Sequence, residues 1–200
     1  KLDRYPDTTH DGKVLVAVVT CYERMMLAQE DNYKDNPLAL ENLAPGVHPT
    51  FDEIPKLELS ELRQKYMASV DTLFVYDPAY EHMPSMKYRV AELYYYHNHI
   101  VEARTRFEDI IDRWPSKPYA AFSAGLLVNS YYKIADYEQV FALCEYFMRF
   151  PLLGDDDELW QTRLETYEGM RRHSQFRLAE LAEATDVDGR LRFRAGRPAI

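Results

Sequence analysis

The stretch that decides the fold runs from Met86 to Pro115 and reads MKYRVAELYYYHNHIVEARTRFEDIIDRWP. Its apolar residues recur every three or four positions in two groups, one around Val90 and Tyr94 and the other around Ala103 and Phe107. This recurrence is typical of amphipathic helices, in which one face repeats every 3.6 residues. The stretch therefore predicts two helices, and the polar run between the two groups predicts the turn that joins them.

A second copy of this layout follows directly. Its apolar positions on the first and then the second predicted helix are Leu127, Val128, Tyr131, Tyr137, Val140, Cys144 and Phe147. The copy ends near Pro151, and the offset from Tyr94 to Tyr131 is 131 − 94 = 37 residues. A period of 20 to 50 residues indicates a repeat protein, in which each unit buries its apolar face against the next.

An upstream copy of the layout is split into two parts. The first-helix and second-helix positions are Leu15, Val18, Val19, Tyr22, Tyr66, Val70, Leu73 and Pro78. Between the two parts, residues 31–57 are rich in Asp, Asn and Pro and contain the turn signal Ala44-Pro45-Gly46. We predict a long loop or a small excursion there, and loops of this length commonly carry function.

These spacings resemble the tetratricopeptide repeat (TPR) family, whose pattern is W-x2-L-G-x2-Y, then A-x3-F, then P. The residues in register with that pattern are Val90, Ala91, Tyr94, Ala103, Phe107 and Pro115, and Lys87 stands where the family has Trp. The resemblance implies an all-α protein, a TPR-like α-solenoid of antiparallel helix pairs. A generic helical bundle and other α-solenoids, of the Sel1 or HEAT type, are the alternatives.

On this interpretation residues 1–185 form a single helical domain. Its units cover about 11–78 (with the 31–57 insertion), 84–117 and 121–154. Trp160, Leu164, Tyr167 and Phe176 predict a terminal capping helix or helix pair within 155–185. Residues 186–200 are predicted to be a C-terminal tail, although residues 190–194 alternate like a short strand.

In TPR proteins the first helix of each pair lines a concave groove that holds an extended peptide or a partner helix. The resemblance gives this partner-binding role to Tyr88, Glu92, Tyr95, Tyr96, Phe122, Asn129, Tyr132 and Lys133. Asn129 stands where chaperone-binding TPR proteins carry an Asn that holds a peptide carboxylate, but Gly125 replaces their Lys. We therefore expect an aromatic groove rather than a carboxylate clamp. The alternative is that these tyrosines only pack between units.

The Trp114-Pro115 and Phe150-Pro151 endings resemble those of bacterial envelope TPR proteins, such as outer-membrane assembly lipoproteins and gliding-motility scaffolds. That resemblance implies an envelope or periplasmic location and a role in complex assembly or motility, with the cytoplasm as the alternative. It also implies that further TPR units of a longer chain are among the neighbours.

The charge balance bears on the class of partner. The chain has 24 Lys and Arg against 33 Asp and Glu, for a net charge of −9. Nucleic acids and anionic membranes are bound by positive surfaces, so we expect a protein partner and no nucleic acid. No apolar run approaches the roughly 18 residues of a membrane span, so we expect no direct membrane insertion.

No phosphate-binding loop, dinucleotide fingerprint, nucleophile elbow or zincin motif occurs, and we expect neither a cofactor nor catalysis. Cys21 and Cys144 are expected to be inert core thiols. His97, His99 and Glu102 are too few for a metal site and are expected to lie at a solvated turn, and the acidic run 155–158 lacks the spacing of a calcium loop.

The sequence therefore predicts a non-catalytic protein–protein interaction scaffold or adaptor. Two alternatives remain open. One is a regulatory or ligand-binding module that acts through residues 31–57, and the other is an architectural segment of a longer repeat array.

Overall fold

The computed structural model describes residues 8–29, 32–44, 46–150 and 157–195. Within these ranges the chain forms seven α-helices and no β-strand. The helices are α1 (Thr8–Gln29), α2 (Glu61–Tyr76), α3 (Met83–Tyr96), α4 (Ile100–Arg113), α5 (Pro118–Tyr132), α6 (Tyr137–Arg149) and α7 (Asp157–Ala195). The prediction of an all-α fold is confirmed.

Each helix packs on the helices that precede and follow it, and α3 also packs on α5. Three of the connections are short, at residues 97–99, 114–117 and 133–136. Short connections of this kind join antiparallel neighbours. The apolar interior forms two clusters, one among α1, α2 and α3 and the other from α3 to α7, and both contact Tyr94 and Trp114.

The core positions predicted on α2 to α6 are buried or half-buried, whereas on α1 Val19 is buried, Leu15 and Tyr22 are half-buried and Val18 is exposed. The fully or nearly fully buried members are Val19, Tyr66, Val70, Leu73, Val90, Ala91, Ala103, Phe107, Ile110, Leu127, Val128, Val140, Cys144 and Phe147. Ala91, Ala103 and Ala124 belong to one cluster, where side chains of one carbon allow helix backbones to approach closely. Burial of a ring such as that of Phe107 stabilises the fold by roughly 2–3 kcal/mol.

The turns after α3 and α5 repeat one backbone conformation. Asn98 and Ala135 both have left-handed φ, at 62° and 59°. The amide of His99 donates to the carbonyl of Tyr94 at 2.9 Å, and the amide of Asp136 donates to the carbonyl of Tyr131 at 3.0 Å. Both pairs of equivalent residues are 37 positions apart (135 − 98 and 136 − 99), which is the sequence offset between the two units.

Lys87, at the position where the TPR pattern has Trp, is buried in an ion cluster that joins α2, α3 and α4. Its Nζ lies 2.7 Å from Oδ1 of Asp71 and 4.2 Å from the ring centre of Phe74. Arg106 donates to both Asp71 oxygens, at 3.1 and 2.9 Å. Partial burial opposes ionisation of Asp71, but the hydrogen bonds and charges of Arg106 and Lys87 lower its pKa.

The C-terminal region differs from the prediction. A single helix, α7, covers 39 residues, and residues 186–195 continue it instead of forming a tail or a strand. Tyr167 is buried as expected, whereas Phe176 is exposed. The acidic residues 155 and 156, Pro151 and residues 196–200 lie outside the described residues.

The two cysteines differ from each other. Cys144 is buried, and the loss of solvation raises the pKa of its thiol to about 12, so it is the inert core thiol that the sequence predicts. The prediction is wrong for Cys21, which is exposed on α1. Val18, one helical turn before it, is also exposed, so an apolar spacing on α1 did not mean burial there.

Candidate partner-binding groove

The surface formed by α3 and α5 is covered by residues 32–57, which we call the inserted segment. Its described residues contain no α-helix, only three single 3-10 turns at Tyr33–Asp35, Leu40–Asn42 and Phe51–Glu53. The prediction of a loop or small excursion therefore holds for these residues, while residues 31 and 45 are outside the description. The segment runs from the end of α1 across α3 and α5 and returns to α2.

Asparagine side chains give the first half of the segment its shape. Oδ1 of Asn32 accepts from the amide of Lys34 at 3.3 Å, and Oδ1 of Asn36 accepts from the amide of Leu38 at 3.0 Å. Nδ2 of Asn42 donates to the carbonyls of Lys34 and Asn36, at 2.6 and 2.7 Å. Asn side chains stabilise turns in this way because they replace backbone partners that a helix would provide.

Glu41 of the inserted segment is held jointly by α3 and α5. Its Oε2 accepts from the hydroxyl of Tyr95 at 2.5 Å and from Nδ2 of Asn129 at 2.6 Å. Nζ of Lys133, just after α5, donates to the backbone carbonyl of Glu41 at 2.8 Å. Complete burial, together with the negative charge of Glu41, raises the pKa of Tyr95 well above its usual value, so the hydroxyl stays a donor.

A second charged contact lies nearer the N-terminal end of the segment. Nζ of Lys34 lies 2.5 Å from Oε1 of Glu92, and the hydroxyl of Tyr33 donates to Oε2 of Glu92 at 3.2 Å. The side chain of Glu92 is only 8% exposed. The ring of Tyr96 packs edge-on against Tyr33 at 5.8 Å, and Lys34 lies 5.8 Å from its centre. A buried carboxylate on α3 thus receives its cation from the segment.

The turn at 97–99 fixes the middle of the segment. Nδ2 of Asn98 donates to the carbonyls of Leu38 and Pro55, both at 2.9 Å, and its Oδ1 accepts from the amide of Leu40 at 2.7 Å. The amide of Leu57 donates to the carbonyl of His97 at 2.9 Å. His97 and Asn98 are 2% and 3% exposed, so the prediction of a solvated turn is wrong.

The histidines of this turn are used structurally. Nδ1 of His97 lies 2.6 Å from the carbonyl of Leu93 and must therefore carry a proton, which leaves Nε2 to accept from Arg63 at 2.7 Å. Nε2 of His99 lies 3.0 Å from the carbonyl of Leu57. Across the described ranges, no group of three or more His, Cys, Asp or Glu side chains has the arrangement of a metal site.

Ala39 and Leu40 are the deeply buried part of the segment. They are 0% and 1% exposed, and Leu40 belongs to the same apolar cluster as Tyr95 and Phe107. Burying these two side chains contributes roughly 2–3 kcal/mol to docking of the segment. The remaining residues of 32–44 are half-buried or exposed.

Aromatic rings pack at both ends of α5. His48 lies 6.0 Å from Tyr132, ring centre to ring centre, and its Nδ1 is 3.2 Å from the carbonyl of Lys133. Tyr88 and Phe122 pack on Tyr119 at 5.7 and 6.1 Å. Tyr119 and Phe122 lie near the start of α5 and Tyr132 lies at its end, where its ring is 5.7 Å from that of His173 on α7.

Between α5 and α7 lies a cavity of about 360 Å³. Gly125, Leu126 and Asn129 line it from α5, and Arg163 lines it from α7. The guanidinium of Arg163 lies 5.4 Å from the ring centre of Phe122. The inserted segment therefore covers α3 and part of α5, whereas none of its residues lines the cavity beside α7.

The structure brings the predicted partner-binding residues onto one surface, but it also shows what lies on that surface. The members that contact the inserted segment are Glu92, Tyr95, Tyr96, Asn129, Tyr132 and Lys133. Tyr88 and Phe122 contact each other and Tyr119. Sequence reasoning missed Glu41, Lys34 and Asn98. The only signal for Glu41 and Lys34 was that they lie in an insertion rich in Asp, Asn and Pro, and the only signal for Asn98 was the polar turn around it.

Comparison of the chain with protein-family models, with curated proteins and with solved structures finds no match. Among the described helices, none combines the length and the apolar character that crossing a membrane would need.

Proposed function

We propose that this chain is a non-catalytic protein–protein interaction scaffold, a TPR-like α-solenoid that binds a partner segment on the concave surface of α3 and α5. The observation that carries the proposal is that this surface already binds a polypeptide without regular secondary structure, the inserted segment. It does so across sequence separations of 54 residues for Tyr95 with Glu41 and 88 residues for Asn129 with Glu41.

The repeated geometry of the turns supports the solenoid part of the proposal. Asn98 and Ala135 occupy equivalent left-handed positions 37 residues apart, and the amide of each donates to the third residue before it at 3.0 Å. Non-glycine residues adopt this conformation uncommonly. Two units that share it at the repeat offset are expected from stacked copies of one helix pair, and less so from an irregular bundle.

The chemistry of the groove supports the binding part. Lys133 and Asn98 contact backbone carbonyls, and Tyr95 and Asn129 contact a carboxylate. Groups that read backbone atoms accept many sequences, whereas a charged contact selects among them. A surface with both kinds of contact suits an adaptor that recognises an extended segment of another protein.

A capture experiment tests this proposal, with the full chain as bait in extracts of the source cells. The groove variant combines Tyr95→Phe with Asn129→Ala, which removes two donors and keeps the ring that packs on Phe107 at 5.9 Å. Glu108→Ala, at an exposed position of α4, is the matched control. We expect a partner that the control retains and the groove variant loses. A partner bound equally by all three proteins would move the binding surface elsewhere.

One observation favours the regulatory alternative as a second function. The residues implied to bind a partner are in contact with the inserted segment, so that binding at Glu92, Tyr95 or Asn129 depends on where the segment lies. On this view the position of the inserted segment determines whether a partner can reach the groove.

A further inference from the structure

We infer that residues 32–44 are an intramolecular ligand of the groove, and that the protein partner carries the same recognition chemistry and competes with them. The recognised segment has a Lys, then a small residue followed directly by a Leu, both buried, and then a Glu directly after the Leu. The inference rests on the proposed function, because it names the class of segment that the groove would accept.

The charges define the ends of the recognised segment. Lys34 meets the buried carboxylate of Glu92 at 2.5 Å, and the Glu41 carboxylate meets Tyr95 and Asn129 at 2.5 and 2.6 Å. The two charged positions are 41 − 34 = 7 residues apart. In a partner segment, a cation at the first position would replace Lys34 as the counter-ion of the buried Glu92. A carboxylate at the second would accept from Tyr95 and Asn129 in place of Glu41.

The apolar contact fixes the register between these charges. Ala39 and Leu40 are buried, and Asn98 binds the backbone on both sides of Ala39, at the carbonyl of Leu38 and the amide of Leu40. A larger residue at the Ala39 position would meet a site with no free surface, because Ala39 is 0% exposed. The recognised motif is therefore small residue, Leu, Glu, in that order.

Residues 32–44 can leave the groove as a unit. The bonds of Asn32, Asn36 and Asn42 lie within residues 32–42 and do not involve the helices. Two buried apolar side chains hold residues 32–44 to the groove, whereas α3 and α5 each bury at least five. Regions with few buried apolar contacts open at lower free energy than the core. Release leaves the α3–α5 surface intact for a competitor.

Competition with a tethered ligand sets the affinity that a partner shows. A short flexible connection gives a ligand an effective concentration of the order of millimolar, so the closed state dominates unless the tethered contacts are weak. The apparent affinity of the partner is then its intrinsic affinity multiplied by the open fraction. Substitutions within residues 32–44 should therefore increase the apparent affinity for a competing segment without altering the groove itself.

The test uses a fluorescein-labelled synthetic peptide of residues 32–44 and the full chain, with binding followed by fluorescence anisotropy. The released variant is Leu40→Asp, which cannot return a charged side chain to the buried site, and Leu40→Ala with Glu41→Gln is a second, milder variant. We expect both to bind the peptide at least about ten-fold more tightly than the unaltered chain. Asn129→Ala in the released background should weaken binding at least about ten-fold, as should Glu41→Gln in the peptide.

Hydrogen exchange of the same proteins completes the test. In the unaltered chain the amides of residues 32–44 should exchange faster than those of α3, and in the released variants faster still, while α3 stays protected. The inference is overturned if neither released variant binds the peptide, or if residues 32–44 exchange only as fast as α3. Either result leaves the scaffold proposal standing, because that proposal is decided by loss of a captured partner in the groove variant.

Discussion

The interior of the helix pairs and the contact between the inserted segment and the groove are built from different interactions. In the interior, α3, α4 and α5 meet through fully buried apolar side chains such as Ala103 and Phe107. At the groove, most contacts are hydrogen bonds and ion pairs around Glu41, Glu92 and Asn98, with Ala39 and Leu40 as the buried apolar part.

The two regions therefore contribute to the stability of the protein in different ways. Apolar burial is strong and insensitive to the identity of a neighbour, whereas a hydrogen bond exchanged with water contributes only about 0.5–1.5 kcal/mol. The helix pairs can thus fold firmly while the segment docks weakly and specifically. Four measurements test this division.

The largest effect is expected in the interior. Phe107→Ala should lower the free energy of unfolding by about 3–5 kcal/mol, because it opens a cavity where Tyr95 and Tyr88 pack on the ring. Urea denaturation measures it, with Val101→Ala, at an exposed position of the same helix, as the control. A loss below about 1 kcal/mol would mean that the core rearranges readily and that the two regions do not differ in kind.

The next largest effect compares the two regions directly by thiol labelling. In a Cys21→Ser background, a thiol introduced by Leu40→Cys should react about 100-fold faster than Cys144, because the segment opens without the core; this ratio corresponds to about 2.7 kcal/mol. Cys144 is buried with its thiol pKa raised to about 12, so it reacts only on opening of its surroundings. Equal labelling rates would show that the segment is released only by global unfolding.

A smaller loss of stability is expected from substitutions in the 97–99 turn, which binds the inserted segment. Asn98→Ala should lower the free energy of unfolding by about 2 kcal/mol, since it removes bonds to Leu38, Leu40 and Pro55 and places alanine at a φ of 62°. Asn98→Gly removes the same bonds without the backbone strain and should lose about 1 kcal/mol less. Equal losses would assign the whole effect to the hydrogen bonds.

The smallest effect concerns the ion cluster of the interior. Asp71→Asn should lower the free energy of unfolding by about 1 kcal/mol at pH 7, a modest value because the Asp71 side chain is 41% exposed. Its folded pKa lies below the unfolded value near 3.9, so its contribution is present above about pH 4 and is lost as the pH falls further. Urea denaturation from pH 7 to pH 3 should show the two proteins converge, and a constant gap would contradict the charge argument.

The same division explains which features could be predicted from the sequence. The helices around Val90, Ala103 and Val140 were predictable because apolar spacing is local information, repeated within one turn of a helix. The docking of Glu41 on Asn129 was not, because it joins residues 88 positions apart through a single polar contact without a period. Polar turn residues such as Asn98 look solvated in sequence, and only the segment that covers them buries them.

The end of the C-terminal helix was predicted wrongly for a different reason. Residues 186–189 contain two Asp residues and Gly189, all poor helix formers, so the pattern appeared to stop there. The helix nevertheless continues to Ala195. Propensities of a few tenths to one kcal/mol per residue lower the stability of a helix locally but do not define where it ends.

The length of α7 has a mechanical consequence. At about 1.5 Å per residue its 39 residues extend roughly 58 Å, whereas the 13 residues of α6, on which it packs, extend only about 20 Å. A rigid rod supported over a third of its length converts small angles into large displacements. The unsupported part is then about 38 Å long, and a tilt of about 5° at α6 would move its end by about 3 Å. A small change in how Phe147 packs on Tyr167, whose stacked rings lie 5.9 Å apart, would thus become a displacement of about 3 Å at the far end of α7.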